Sequence, residues 1–161
     1  MPPLTVTRRR HDRWGRLDPV NTEPSSSRWH DPEVIRRVIT GARTIAVVGA
    51  SPDPARPSHG VARYLHDAGL RIFPVNPSIT TLFGRTAYPT LAAVPEPVDV
   101  VDVFRRPEYT VDIARDAVAI GAGALWLQLG VINEQAARIA EEGGLDVVMD
   151  RCMAIEHRRA Y

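Results

Sequence analysis

Short apolar runs dense in β-branched residues recur along this chain at Thr44–Val48, Arg71–Val75, Val98–Phe104, Ala124–Leu127 and Leu145–Met149, with amphipathic or looser stretches between them. Strands buried on both faces read as continuous apolar runs, and parallel neighbours need crossovers of a dozen or more residues, usually helices. The pattern predicts an α/β chain: a three-layer sandwich in which one five-stranded parallel sheet is covered by helices on both faces, with right-handed crossovers. No internal repeat competes with this reading.

The helices carry their own punctuation. Asp31-Pro32-Glu33 supplies an N-cap, a proline at the first helical position and an acid in the first turn, opening a helix to about Thr40 that Gly41 stops. Ser58 is suited to cap a helix reaching Ala68 and stopped by Gly69; Pro107 opens one ending near Gly121; Asn133 caps one reaching Glu142 before Gly143-Gly144. Between Thr86 and Val94 the sequence is looser. The last segment, Asp150–His157, reads as a structural C-terminal helix anchored by Glu and Arg pairs.

Composition removes several classes of function. With 161 residues, 44% apolar and 24% charged, the chain can bury an ordinary core without disulfides or a structural metal. Its single cysteine, Cys152, has no internal partner and nothing resembles a secretory signal, so a reducing compartment, the cytoplasm, is expected. Arg8-Arg9-Arg10 is followed by His11-Asp12-Arg13-Trp14-Gly15, not by an apolar h-region, and no apolar run approaches the roughly 20 residues that cross a bilayer. Neither export nor a membrane role is expected. Five histidines without a Cys/His cluster predict no metal site.

The net charge is +1, and most of the imbalance sits in the first thirty residues, so nucleic acid is not an expected partner. Met1 to about Trp29, rich in Pro, Ser, Arg and Asp and without helical or strand period, reads as a flexible, solvated arm, leaving residues 30–161 as the folded domain. Every cation is arginine and lysine is absent. Phosphate recognition must therefore rest on guanidinium groups, backbone N–H groups and hydroxyls.

Ligands of open parallel sheets lie outside the strand carboxyl ends, where strand order reverses, so the loops after Val48, Val75, Phe104, Leu127 and Met149 are the ones to read. In the first, Gly49, Ala50 and Ser51 allow close backbone approach, Ser51 and Ser58 bring hydroxyls, Arg56 a cation, and the N–H groups at the start of the helix that Ser58 would cap favour an anion. This departs from G-x-G-x-x-G, since Ser51 replaces the second glycine, and a stiff ligand-free loop competes with the phosphate-cradle reading. After the second strand an NAD-binding fold usually carries an acid for the ribose; here Val75-Asn76-Pro77 stands instead. Asn76 is suited to a sugar or base edge, or to a plain turn. Phe104, Arg105 and Arg106 lie at the third strand end, and Gln128 and Gly130 past the fourth; Trp126 reads as core.

The segments V-G-A-S-P-D-P-A-R-P-S (Val48–Ser58), P-V-N-P (Pro74–Pro77), V-D-V-F-R-R (Val101–Arg106), W-L-Q-L-G-V (Trp126–Val131) and M-D-R-C-M-A-I-E-H (Met149–His157) resemble the small stand-alone CoA-binding proteins of bacteria. Those are similar to the N-terminal CoA-binding domain of the succinyl-CoA synthetase α subunit. The likeness runs from about Asp31 to Tyr161, in order. It implies a Rossmann-like domain holding coenzyme A at the strand carboxyl ends: Gly49, Ala50 and Ser51 on the phosphate side, Arg56, Pro57 and Ser58 near the diphosphate, and Val75, Asn76 and Pro77 flanking adenosine. Phe104 and Arg105 would lie beside the pantetheine, with Gln128 and Gly130 opposite. The synthetase's phosphorylated histidine belongs to a second domain beyond the likeness, so ligase chemistry is not carried over.

The expectation is a module that binds CoA or acyl-CoA, with no catalytic residues of its own, and a protein partner or a homodimer left open. Two other readings stand beside it. One is an NAD(P)-dependent oxidoreductase, weakened by the missing acid after the second strand. The other is a redox protein in which Cys152 forms a mixed disulfide with the CoA thiol, with His157 nearby in sequence.

Overall fold

The computed structural model describes residues 28–161, so the arm expected over residues 1–29 lies outside the described residues except for Arg28 and Trp29. Helix α1 (Pro32–Gly41) begins on Asp31, whose carboxylate accepts from Glu33 N–H at 2.9 Å. Then follow β1 (Thr44–Val48), α2 (Pro57–Asp67), β2 (Arg71–Val75), a hairpin of β3 (Thr81–Leu82) and β4 (Arg85–Thr86), and β5 (Val100–Val103). A 3-10 turn at Pro107–Tyr109 leads into α3 (Thr110–Ala119), and the chain ends with β6 (Ala124–Leu127), α4 (Glu134–Glu142), β7 (Asp146–Met149) and α5 (Met153–Ala160).

Five strands form one parallel sheet in the order β2-β1-β5-β6-β7. Register aligns Val48 with Val75 and with Val103, Val103 with Leu127, and Leu127 with Met149, so all five carboxyl ends finish in one row. The chain reverses direction across the sheet between β1 and β5. That is the switch point at which a ligand crevice is expected.

The strands alternate their burden between two cores. Ala46, Val48, Val101, Val103, Leu125, Leu127, Val147 and Met149 pack with the alanines of α3 and α4 on one face; Ile45, Val47, Ile72, Val100, Trp126 and Val148 pack with α1, α2 and α5 on the other. Small side chains on α3 and α4 let those helices approach closely. Trp126, read as core, is wholly buried and donates from Nε1 to Arg151 O at 2.8 Å.

Three local expectations change. Helix α2 starts on Arg56 rather than Ser58, because Pro57 takes the first helical position that its fixed φ suits; Ser58 lies inside the first turn and is 3% exposed. The third main-sheet strand is Val100–Val103, shorter than Val98–Phe104. Trp29 is buried in the first core and its indole donates to Glu141 at 2.9 Å, while Arg28 pairs with the same carboxylate. The folded unit thus reaches back past residue 30.

Candidate functional site

The switch point is built on Gly49. At φ +86° it occupies left-handed space, and a β-carbon there would stand 2.8 Å from the Phe104 carbonyl oxygen and 3.3 Å from Arg105 Cδ. Gly49 N–H donates to Val75 O at 3.0 Å and Phe104 N–H to Val48 O at 2.8 Å. The exits of β2, β1 and β5 are thereby laced together, and only a residue without a side chain permits it.

Beyond this knot opens a crevice of about 810 Å³, within the range of small-molecule and cofactor sites. The loop after β1 forms one wall. Ser51 Oγ accepts from Asp53 N–H at 3.1 Å, Asp53 accepts from Ala55 N–H at 2.9 Å, and His59 Nδ1 lies 3.0 Å from Ser51 O, which requires that nitrogen to carry the proton. The loop is thus braced from within. Arg56 makes no side-chain cap bond and Pro57 has no N–H, so the start of α2 faces the crevice with its positive dipole end and the buried Ser58.

Arg105 leans over the Tyr109 ring, 4.4 Å from its centroid. Among the described residues neither Arg56 nor Arg105 has a carboxylate within salt-bridge distance, whereas the neighbouring Arg106 lies 3.8 Å from Glu108. Two guanidinium groups beside a helix start, without a carboxylate partner among the described residues, make this part of the lining attractive to phosphate.

Eleven of the thirteen residues named from sequence line this one crevice: Gly49, Ala50, Ser51, Arg56, Pro57, Ser58, Asn76, Phe104, Arg105, Gln128 and Gly130. Val75 does not; its side chain is core, and its carbonyl holds Gly49. Pro77 is exposed outside the lining. Asn76 has both ends of its carboxamide engaged, Nδ2 donating to Ala50 O at 2.7 Å and Oδ1 accepting from Ser78 N–H at 2.8 Å. It pins the loop after β2 to the loop after β1. Gly130, at φ +84°, gives its N–H to Asp150 Oδ1 at 2.8 Å, so that donor is held by the loop after β7.

The lining also holds residues sequence reading did not place there, Val61 of α2, Leu129 and Val131 after β6, and Ile155 of α5, and it includes Cys152 at the α5 N-cap. Leu129 and Ile155 are exposed. Helix positions such as Val61 and Ile155 carry no sequence signal for a ligand, because only the packing of α2 and α5 over one sheet face brings them to the rim. His157, beside Cys152 in sequence, places Nδ1 2.9 Å from Tyr64 Oη, and burial lowers its pKa from the ordinary 6.5. Glu156 pairs with Arg159 at 3.1 Å and approaches Arg151 at 4.0 Å, as expected of a C-terminal helix anchored by such pairs. Among the described residues no group of three or more His, Cys, Asp or Glu could hold a metal ion, and no helix is long and apolar enough to cross a membrane.

A family model described as a CoA binding domain matches residues 43–158. The chain is 38% identical over 123 residues to the uncharacterized protein YneT of Bacillus subtilis, covering 76% of this chain and 91% of that one. A solved Thermus thermophilus structure is 41% identical, with a TM-score of 0.77, over 81% of this chain and 99% of that one. Weaker likeness, 26% over 125 residues, extends to acetate–CoA ligase (ADP-forming) I of Archaeoglobus fulgidus, of which it covers 18%.

Proposed function

Given that the chain belongs to the CoA-binding domain family, we propose that it binds coenzyme A or an acyl-CoA in the crevice between β1 and β5, as a binding module rather than a catalyst. One observation carries the reading: a single crevice combines two chemistries, cationic and N–H donor groups from Arg56, Arg105 and the α2 start, and apolar side chains from Val61, Leu129, Val131 and Ile155. CoA needs both, for an adenosine phosphate-diphosphate head and for a pantetheine arm ending in a thiol. A reducing compartment, the cytoplasm, suits a protein that keeps Cys152 free beside such a thiol.

The test is calorimetric titration with CoA, acetyl-CoA and NAD in parallel. The reading expects heat with the two CoA compounds and none with NAD, since the second strand is followed by Asn76 where an NAD-binding fold usually carries an acid for the ribose. Flat heats with CoA at millimolar ligand overturn it. A second reading, mixed-disulfide formation, is favoured by Cys152 lining the crevice. In that step the Cys152 thiolate attacks CoA disulfide, one CoA leaves as thiolate, and intact mass rises by one CoA moiety; an unchanged mass dismisses it.

A further inference from the structure

Asp102 stands inside β5, in register with Val47 of β1 and Trp126 of β6, and is wholly buried. Its Oδ1 accepts from Gln128 Nε2 at 2.8 Å, and its Oδ2 has no hydrogen-bond partner among the described residues. Such a group works against the fold. Aspartate is depleted from strands, and burying a carboxylate without full compensation is costly, whereas valine, which fills the other three positions of β5, is the residue this environment favours.

No cation compensates it among the described residues. Its strand neighbours are Val47 and Trp126, and the helices over that face bury Val38 and Ile39 from α1, Ser58, Ala62 and Leu65 from α2, and Met153 and Ala154 from α5. The titratable groups of those helices are engaged elsewhere. On α1, Arg36 pairs with Glu33 and Arg37 with Asp146. On α2, Arg63 and His66 meet Asp67, and His59 meets Ser51 O. On α5, Glu156 is with Arg151 and Arg159, His157 with Tyr64, and Arg158 over the Tyr64 ring.

What Asp102 does reach is the crevice, through Gln128. Gln128 is the first residue past β6, is 4% exposed, and lines the crevice. An ionised carboxylate only accepts, so the end of the carboxamide bonded to it is the NH2 group. The Gln128 oxygen, unlike Asp102 Oδ2, is not sealed away from solvent.

We propose that Asp102 is a positioning residue that fixes the Gln128 carboxamide with its oxygen towards the crevice, making that point of the wall an acceptor for an N–H or S–H donor of the ligand. The inference rests on the crevice being the CoA site. In CoA the matching donors are the two pantetheine amides and the terminal thiol. Burial pushes the Asp102 carboxyl up from the ordinary 3.8 to about 7, against the opposing hydrogen bond from Gln128. Once protonated it can donate as well as accept, which frees the carboxamide to turn its NH2 outward. Affinity for CoA therefore weakens as pH falls through neutrality.

The experiment compares the full chain with Asp102→Val and Asp102→Asn by CoA calorimetry and thermal melting between about pH 6 and about pH 8, the span around that carboxyl's pKa. At the upper pH, Asp102→Val is expected to melt higher than the unaltered chain yet bind CoA about tenfold more weakly, the worth of one oriented hydrogen bond. A merely structural role would instead move affinity and melting together. Asp102→Asn is expected to lose the part of the pH dependence that comes from this carboxyl, the remainder belonging to the CoA phosphates.

Should Asp102→Val fail to fold, the Gln128 side-chain amide resonance decides. It shifts through a midpoint near neutrality in the unaltered chain and stays still in Asp102→Asn. Unchanged CoA affinity in Asp102→Val, or a Gln128 resonance indifferent to pH, overturns the role of Asp102 alone. Flat heats with the unaltered chain contradict the CoA reading itself and remove the ligand side of this proposal with it.

Discussion

Replacing Gly49 by alanine isolates the contact on which the crevice depends. Two penalties combine there: the φ of +86° and a β-carbon only 2.8 Å from the Phe104 carbonyl oxygen. Left-handed backbone costs an alanine roughly 1–2 kcal/mol. Relieving the contact means moving the exit of β5 away from that of β1, and overpacking of this kind costs roughly 1–3 kcal/mol. Gly69 provides the control, since its φ is +95° but nothing lies within 4 Å of a β-carbon there. Gly69→Ala should therefore show the conformational penalty alone. In urea unfolding Gly49→Ala should be the less stable of the two by about 1–3 kcal/mol at similar m-value, and it alone should weaken CoA binding. Equal stability of the two variants would refute the reasoning, because it would mean the β1 and β5 exits are not in contact through Gly49.

Asp102 should leave a mark on the pH dependence of stability. Between its ordinary 3.8 and about 7 the folded chain keeps a proton that the unfolded chain releases, so stability should fall across that range as pH rises, by roughly 4 kcal/mol from this group, and level off above it; urea midpoints of Asp102→Asn should lack that component. Trp126→Phe removes the indole donor from Arg151 O and should cost about 1–3 kcal/mol in the same assay. Asn76→Ala removes the Nδ2 bond that ties the loop after β2 to Ala50 and the Oδ1 bond that shapes its own turn at Ser78, and should weaken CoA binding more than it lowers the melting temperature. Arg56→Ala should weaken CoA binding and flatten its salt dependence while leaving stability within about 0.5 kcal/mol, since the side chain is exposed and makes no cap bond.

The sheet was legible because its strands are buried on both faces, which writes them as apolar runs, and because Asp31, Pro32 and Asn133 announce helix starts that the structure keeps. The β3–β4 hairpin was not. Its two-residue strands are too short for a period, and its turn sets Phe83 at φ 51° and Gly84 at φ 71°, so a phenylalanine occupies a left-handed position where Asn or Asp would have signalled a hairpin. At the site, the residues after strand ends could be read, because topology alone sends those loops to one edge. Hydrogen bonds that decide what each residue offers could not: Asn76 is spent on Ala50 and Ser78, Gly130 on Asp150, and Gln128 leans on Asp102, 26 positions away. The aspartate among valines in V-V-D-V was visible in the sequence, but its partner was not.

The central claim, that CoA occupies the crevice at the β1/β5 switch point, is tested most directly by following backbone amide resonances as CoA is added. The account predicts shifts concentrated at Gly49–Ser58, Asn76, Phe104–Arg105 and Gln128–Gly130, with the separate groove between α1 and α5 around Ile35 and Arg159 unmoved. Shifts confined to that second groove, or none at saturating CoA, would contradict it.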